Sequence, residues 1–284
     1  MPKLGAHVQG GVKANLSDAE ELKAETIQIF THNPGSWFVN VPKYEDLTLF
    51  REKAKKLNIN PIISHCGYLI NLATTDNNVF KQSLELMKKE VELCHIYGAK
   101  YLVVHVGKHK GNGVESGINQ VAKALNSLKD VLSKFKEVTI LLETTAGQGT
   151  ELGSNFSELN EIIKRVDPSL KNRVGVCIDT CHIFSAGYDI RAEEGIKKTF
   201  EEIKKTFGFN KIKCIHINDS KGELNSRLDR HENIGNGKIG YDGLKRFLTK
   251  KEFDNLPMIL ETNESEKYNH KTDIKLLRKM FSHN

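Results

Sequence analysis

The strongest constraint on this chain is a regular alternation of short apolar segments with longer segments of helical periodicity. Within its 284 residues, eight runs rich in β-branched residues are each followed by a stretch with apolar residues every three to four positions. The predicted strands are residues 3–8, 26–31, 61–66, 101–107, 138–144, 174–180, 212–218 and 258–262. The predicted helices are residues 12–24, 43–57, 77–97, 117–135, 155–166, 192–207, 241–250 and 267–281.

This alternation predicts an α/β fold of the (βα)8 TIM-barrel type, with its active site at the carboxyl ends of the strands. The strands are nearly continuous apolar runs, such as residues 101–104, which is typical of a parallel sheet covered by helices. A doubly wound open sheet is the main alternative, but no G-x-G-x-x-G motif follows the first strand. Because no linker or composition shift divides the chain, we expect one domain over residues 1–284.

Composition limits the classes of protein to consider. The 42 Lys and Arg residues exceed the 36 Asp and Glu residues by six, a mild positive charge that permits a polyanionic partner without requiring one. Mean hydropathy is −0.43, and no apolar run approaches the roughly 20 residues of a membrane helix. We see no signal peptide, and the five irregularly spaced cysteines do not suggest a disulfide framework. We therefore expect a cytoplasmic protein without a membrane contact.

Nine side chains of metal-ligand type fall at the carboxyl ends of six consecutive predicted strands or in the loops after them. They are His65, His105, Glu143, Asp179, His182, His216, Asp229, His231 and Glu261. A carboxylate that ends a buried apolar strand must be paired or bound to metal, because burying a lone charge is costly. Imidazole and carboxylate groups are zinc ligands, and nine of them, at roughly three to four per catalytic ion, would serve two or three ions.

Each of these residues also has a purely structural interpretation. A single histidine at a strand end is more often a hydrogen-bonded core residue, and Asp179 has the position of a helix N-cap. Asp229 and His231 lie in a charged loop typical of solvated surface. Cys177 and Cys181 with His182 suggest a thiolate zinc site, but the C-x3-C spacing lacks a second cysteine pair. The coincidence of all nine residues at one end of the barrel favours a metal centre.

Three longer segments carry a resemblance to a known family. Residues 143–149 read ETTAGQG, residues 175–182 read GVCIDTCH, and residues 216–221 read HINDSK, which leads to SRLDRH at 226–231 and GNGKIG at 235–240. Further matches extend from residues 5–8 to residues 259–262. The chain thus resembles the endonuclease IV family of apurinic/apyrimidinic (AP) endonucleases, also called deoxyribonuclease IV, along essentially its whole length.

The resemblance implies a barrel with three Zn²⁺ ions and no organic cofactor. The implied activity is hydrolysis of the phosphodiester 5′ to an abasic site in duplex DNA during base excision repair, leaving a 3′-hydroxyl and a 5′-deoxyribose phosphate; 3′-end cleaning is expected as well. One zinc ion would be held by His65, His105 and Glu143. The second would be held by Glu143, as a bridging ligand, with Asp179, His216 and Glu261. The third would be held by His182, Asp229 and His231.

We expect a hydroxide between the first two ions, beside Glu143, to attack phosphorus while the third ion stabilises the leaving oxygen. Tyr68 and Leu69 match the family's loop that wedges into the DNA stack, although both also have an ordinary packing interpretation. Arg227 and Arg230 are candidate DNA contacts, and we expect a monomer. Further basic residues in the loops of this face are Lys108, Lys110, Lys221 and Lys238.

Three positions depart from the family pattern. Gly35 stands near the place of a basic DNA-contacting residue, Val106 replaces the usual proline after His105, and Thr144 replaces a common asparagine. Two alternative functions remain open at this point. One is a metal-dependent sugar isomerase or epimerase on the same barrel, for which the pair Asp229 and His231 would be surplus. The other is a catalytically idle DNA-binding module, which would have no use for a complete ligand set.

Overall fold

The apolar, β-branched runs form the strands of a barrel in the computed structural model, which describes residues 1–265 and 268–282. The barrel strands are β1 Lys3–His7, β2 Thr26–Ile29, β3 Ile62–His65, β4 Ala99–His105, β5 Thr139–Glu143, β6 Val174–Asp179, β7 Ile212–Ile217 and β10 Pro257–Leu260. Each pairs in parallel with its neighbour along the chain, and β10 pairs with both β7 and β1 to close the barrel. The predicted TIM barrel is confirmed, and the open-sheet alternative is wrong.

Helices cover the outside of the barrel. They are α1 Val12–Leu22, α2 Tyr44–Lys56, α3 Asn77–Tyr97, α4 Val114–Asn126, α5 Lys129–Lys134, α6 Phe156–Arg165, α7 Thr180–Ala186, α8 Glu193–Lys205, α9 Gly240–Leu248 and α10 His270–Phe281. Several begin at a capping side chain: Asp76 accepts hydrogen bonds from two amides of α3, and Asn269 forms a capping box with Thr272 at α10. None of the helices described is long and apolar enough to cross a membrane.

Most helix boundaries differ from the prediction by a few residues, and three differences are larger or lie at the edge of the described residues. The segment 117–135 was expected as one helix but forms α4 and α5, and the side chain of Asn126 at the break bonds the backbone of Arg165 and Asp167. The short helix α7 was not predicted. The last predicted helix begins at residue 267, which lies outside the described residues, and α10 begins at His270.

A small cluster of apolar residues, here called the plug, fills the inside of the barrel below the predicted ligands. It consists of Ile63, Tyr101, Val103, Leu141, Cys177, Cys214 and Ile259. Successive side chains of a strand point to opposite faces, so a residue two positions after a plug residue also points into the barrel. Leu141 is followed in this way by Glu143, and Cys214 by His216. The strand period therefore aims the ligand layer at the barrel axis, directly above the plug.

The segment after β7 is folded back on itself by one buried carboxylate. Asp219 is fully buried and accepts hydrogen bonds from five backbone amides, those of Ser220, Gly235, Gly237, Ile239 and Gly240. A Cβ on Gly237 would lie 2.5 Å from Asp219 Oδ1, so only glycine fits this close approach. The short hairpin of β8 Asp219–Ser220 and β9 His231–Glu232 closes the same loop. Asp219 thereby fixes the segment that carries two predicted ligands, Asp229 and His231.

We predict that Asp219→Ala lowers the free energy of unfolding by about 3 kcal/mol or more, because several buried amides lose a charged acceptor. Urea unfolding followed by circular dichroism measures this loss. Asp242→Ala, which removes an exposed carboxylate from the first turn of α9, is the control and should cost less than about 1 kcal/mol. Equal losses in the two variants would contradict the role given to Asp219.

Candidate metal centre

Glu143 lies at the centre of the ligand layer and meets imidazoles from several strands. Strand pairing sets His105 directly beside it on β4. Its Oε2 lies 3.0 Å from His65 Nε2 and 2.9 Å from His105 Nε2. Its Oε1 lies 3.0 Å from His216 Nδ1 and 3.4 Å from His182 Nδ1. Because the carboxylate is fully buried, both of its oxygens contact the cluster and neither contacts solvent.

In three of the five predicted histidine ligands, the ring nitrogen that does not face the cluster lies within hydrogen-bond distance of an oxygen atom. His65 Nδ1 lies 2.9 Å from the carbonyl oxygen of Cys66, and His231 Nδ1 lies 3.2 Å from that of Glu261. His216 Nε2 lies 2.8 Å from Gln28 Oε1. An imidazole that donates one N–H to such an oxygen keeps the lone pair of its other nitrogen free, which is the arrangement found in histidine ligands of metals.

The nine predicted ligands form three groups, each with its ligand atoms within 4.8 Å of one another. The first is His65, His105 and Glu143; the second is Glu143, Asp179, His216 and Glu261; the third is His182, Asp229 and His231. In the third group, His182 Nε2 lies 3.1 Å from Asp229 Oδ1 and 3.4 Å from His231 Nε2. Two ring nitrogens that face each other with a carboxylate beside them form a donor set suited to a cation.

Asp179 serves two purposes at once. Its Oδ1 accepts a hydrogen bond from the amide of His182 and so caps α7, as its sequence position suggested. Its Oδ2 accepts a hydrogen bond of 2.6 Å from Asn218 Nδ2 and lies 3.7 Å from His231 Nε2. The structural interpretation of Asp179 is therefore correct without removing it from the ligand cluster.

The cluster shifts the proton affinities of its members in opposite directions. Burial opposes the charged form of Glu143, but the facing imidazoles of His105 and His216 outweigh it and hold the carboxyl pKa well below its usual range. Burial also opposes the charged form of His182, and the carboxylates of Asp179 and Asp229 raise its pKa well above the usual value. The Glu143 carboxylate therefore stays ionised at neutral pH, while a cation that binds His182 must displace a proton.

Six of the nine predicted ligands line a cavity of about 670 Å³ at the carboxyl ends of the strands: His65, His105, His182, Asp229, His231 and Glu261. Tyr68 and Leu69 line this cavity, and Tyr68 is 72% exposed. Lys108 and Lys110 also line it, with Lys108 Nζ 3.2 Å from Glu151. The cavity thus combines ionised ligands, an exposed aromatic ring and two cations on one face.

Neither of the two arginines expected to contact DNA lines this cavity. Arg227 lines a separate groove beside α8, where its guanidinium donates a hydrogen bond to Ser154 Oγ. Arg230 is exposed, and its guanidinium donates to the carbonyl oxygen of Asp229. Neither position tests a DNA contact, so both residues remain predictions. Besides Lys108, two more of the basic loop residues form ion pairs, Lys221 with Glu232 and Lys238 with Glu223.

Sequence reasoning missed two residues that hold the ligands in place. Gln28 on β2 is fully buried; its Nε2 donates to Glu261 Oε1 at 2.6 Å, while its Oε1 lies against His216. On β1, the Nδ1 atom of His7 lies 3.0 Å from Gln28 Nε2. A polar residue inside the strand segment TIQI was the available signal for Gln28.

The departures from the family pattern have different structural consequences. Thr144 Oγ1 accepts a hydrogen bond from the amide of Asp179, and its carbonyl oxygen lies 2.7 Å from His182 Nδ1, so Thr144 orients these two residues. Val106 is fully buried in the main core. Gly35 is exposed in the loop after β2, where its amide donates to Asn33 Oδ1.

Two groups that contain cysteines also have their ligand atoms within 4.8 Å of one another: Cys177, Cys214 and His216, and Asp179, Cys181 and His231. Cys177 points into the apolar plug beside Cys214. Cys181 donates toward the carbonyl oxygen of Arg230 at 3.6 Å, and burial raises the pKa of its thiol to about 11. Since only a thiolate is a good metal ligand, a Cys181 thiol in this environment is a weak candidate.

Comparisons with known proteins agree with this geometry. The profile of the family described as "Xylose isomerase-like TIM barrel" matches residues 16–280. A Thermosipho melanesiensis protein named "Probable endonuclease 4" is 44% identical over 97% of this chain and 96% of its own length. The crystal structure of endonuclease IV from Thermus thermophilus superimposes with a TM-score of 0.86 at 27% identity and covers all of both chains. A D-tagatose 3-epimerase-like protein shares the fold, with a TM-score of 0.76 at 19% identity over 99% of this chain and 97% of that one. The chain therefore belongs to the endonuclease IV family of hydrolases, within the xylose isomerase-like TIM barrels.

Proposed function

We propose that this chain is a zinc-dependent AP endonuclease that hydrolyses the phosphodiester 5′ to an abasic site in duplex DNA. The products would be a 3′-hydroxyl and a 5′-deoxyribose phosphate, as in base excision repair. The observation that carries this proposal is the convergence of nine predicted ligand side chains in three groups, six of which line one open cavity. The endonuclease names of its relatives supply the substrate class.

The donor set fits zinc. It contains five imidazoles and four carboxylates, without a thiolate, and zinc binds such nitrogen and oxygen ligands. We propose one ion at His65, His105 and Glu143, a second at Glu143, Asp179, His216 and Glu261, and a third at His182, Asp229 and His231. Ions bound there would supply an activated water and neutralise charge on the phosphate and the leaving oxygen.

The protein's own residues prepare this site before substrate binds. Glu143 is fixed by burial between two ligand groups, and its lowered pKa keeps it ionised at neutral pH. Gln28 holds His216 and Glu261 in one orientation, and Thr144 holds Asp179 and His182. Because these supports are buried, little reorganisation is needed during the reaction.

The residues at the mouth of the cavity, Tyr68 and Leu69 among them, support selection of an abasic nucleotide. A nucleotide without a base loses little stacking energy when it leaves the duplex, so it is the easiest to draw into a pocket. The exposed ring of Tyr68, with Leu69 beside it, would fill the space left in the stack. Arg227 and Arg230, which do not line the cavity, are proposed to contact the DNA beside it. Trimming of blocked 3′ ends at the same centre is part of the proposal.

We further propose a single AP endonuclease domain over residues 1–284 that acts as a monomer in the cytoplasm, without an organic cofactor. All five cysteines are free and buried, which suits a reducing compartment. A sugar isomerase or epimerase is the weaker alternative, because the likeness to such proteins concerns the barrel alone. The third ligand group would be surplus in them.

We predict that the purified, zinc-loaded protein nicks a duplex carrying one abasic analogue directly 5′ to the lesion and leaves a 3′-hydroxyl. Glu143→Gln should fold normally but lose about a thousandfold or more in cleavage rate, because a shared ligand loses its charge. A sequencing-gel assay reads both the position and the end chemistry. Glu161→Gln, on the outer helix α6, is the matched control and should keep wild-type activity. Retained cleavage in the Glu143 variant would contradict the proposed role.

We also predict that zinc raises the melting temperature of metal-free protein, because an ion that binds only the folded state stabilises it. At a hundredfold excess over the dissociation constant, each site contributes about 2.7 kcal/mol. Asp229→Asn should remove part of this stabilisation together with one bound ion, measured by calorimetry and metal analysis. An unchanged zinc content in that variant would count against the third site.

A further inference from the structure

Glu90 is a fully buried carboxylate that the metal centre does not use. It lies on the inner face of α3, and its oxygens take three donors. Thr31 Oγ1 donates at 2.9 Å, His32 Nε2 lies at 2.8 Å, and the amide of Gly67 donates at 3.1 Å. A charge buried this deeply is stable only while its partners remain in place.

The three donors come from two different segments of the rim. Thr31 and His32 belong to the segment between β2 and α2, residues 30–43, here called the β2 loop. Gly67 belongs to the segment between β3 and α3, residues 66–76, here called the β3 loop. Glu90 therefore joins two loops that are consecutive in the barrel but separate in the chain.

Further contacts hold the two loops against each other. The amide of Tyr68 donates to the carbonyl oxygen of Pro34 at 2.8 Å, and a Cβ on Gly67 would lie 2.9 Å from the same oxygen. Tyr97 Oη on α3 donates to the carbonyl oxygen of Thr31 at 3.2 Å. The loops thus pack with no room for a side chain between them at this point.

This arrangement determines where the ring of Tyr68 stands. Tyr68 is largely exposed, and its ring approaches Phe30 edge-on, with centroids 5.3 Å apart. Little packing of the ring itself fixes its position, so its backbone must do so. That backbone is held at Gly67 by Glu90 and at Tyr68 by Pro34.

We propose that Glu90 is a positioning residue for substrate recognition: it locks the β2 and β3 loops into one unit that presents Tyr68 at the mouth of the metal cavity. The inference rests on the proposed function for its substrate and assigns Glu90 no part in the chemistry. Removing its charge frees Thr31, His32 and Gly67, and the Tyr68 ring then loses its fixed position.

The first test compares Glu90→Gln with Glu85→Gln, an exposed control earlier on α3. Both are measured as zinc-loaded proteins on an abasic duplex and on bis(p-nitrophenyl) phosphate, a small diester with no stack to enter. For Glu90→Gln we expect KM on the duplex to rise about tenfold with kcat within about twofold, since a charged hydrogen bond that orders binding is lost. Zinc content and hydrolysis of the small diester should stay at wild-type levels.

The second test asks whether the effect passes through the loops. Trp37, the single tryptophan, lies half-buried in the β2 loop and reports on its packing. Acrylamide should quench Trp37 more strongly in Glu90→Gln than in Glu85→Gln. As a single change, Tyr68→Ala should raise KM for the duplex. In the double variant with Glu90→Gln it should raise KM little further, because the effects of residues that act on the same step are not additive.

The outcomes separate this inference from the proposed function. An unchanged KM and unchanged Trp37 quenching in Glu90→Gln overturn the role of Glu90, and so does full additivity with Tyr68→Ala. If Glu90→Gln fails to fold, Thr31→Val removes one donor alone and should show the same pattern at smaller size; wild-type behaviour of Thr31→Val then overturns the inference. A wild-type protein that hydrolyses the small diester but not the abasic duplex refutes the proposed substrate instead, while Trp37 quenching still tests the loop coupling.

Discussion

The burial of the Glu143 carboxylate among imidazoles is the interaction on which the rest of the site depends. A charge at the centre of a barrel is costly, and here its oxygens are met within 3.0 Å by nitrogens from β3, β4 and β7. The same carboxylate belongs to two of the three ligand groups, so its position fixes both. Buried polar side chains around the site, such as Gln28 between Glu261 and His216, hold this arrangement in place.

Much of this arrangement was readable from the sequence, for a physical reason. In a barrel strand the side chains alternate between the apolar plug and the helix layer, so a polar residue two positions after a plug residue must face the axis. Leu141 and Glu143 show this relation, as do Ile259 and Glu261. Since all strands end at one face, the nine predicted ligands, six at strand ends and three in the segments that follow, could be expected at one site without any knowledge of distances.

Other features could not be read in this way, because they depend on contacts between segments far apart in the chain. Nothing in the sequence around Glu90 distinguishes it from the exposed acids of α3, and its burial becomes evident only when two loops are placed over it. Asp219 is similar, because its five amide donors depend on how residues 235–240 fold back. The break between α4 and α5 has a comparable origin in the contacts of Asn126.

Two kinds of element therefore build the proposed site: the ends of the strands and the segments that follow them. Strand ends place six of the proposed ligands, and the segments that follow the strands place the proposed third ligand group and the exposed ring of Tyr68. Anomalous diffraction from zinc-soaked crystals, recorded on both sides of the zinc absorption edge, tests this account most directly. It predicts three peaks, one at each ligand group, with Glu143 contacting two of them. A single peak, or peaks away from these nine side chains, would contradict it.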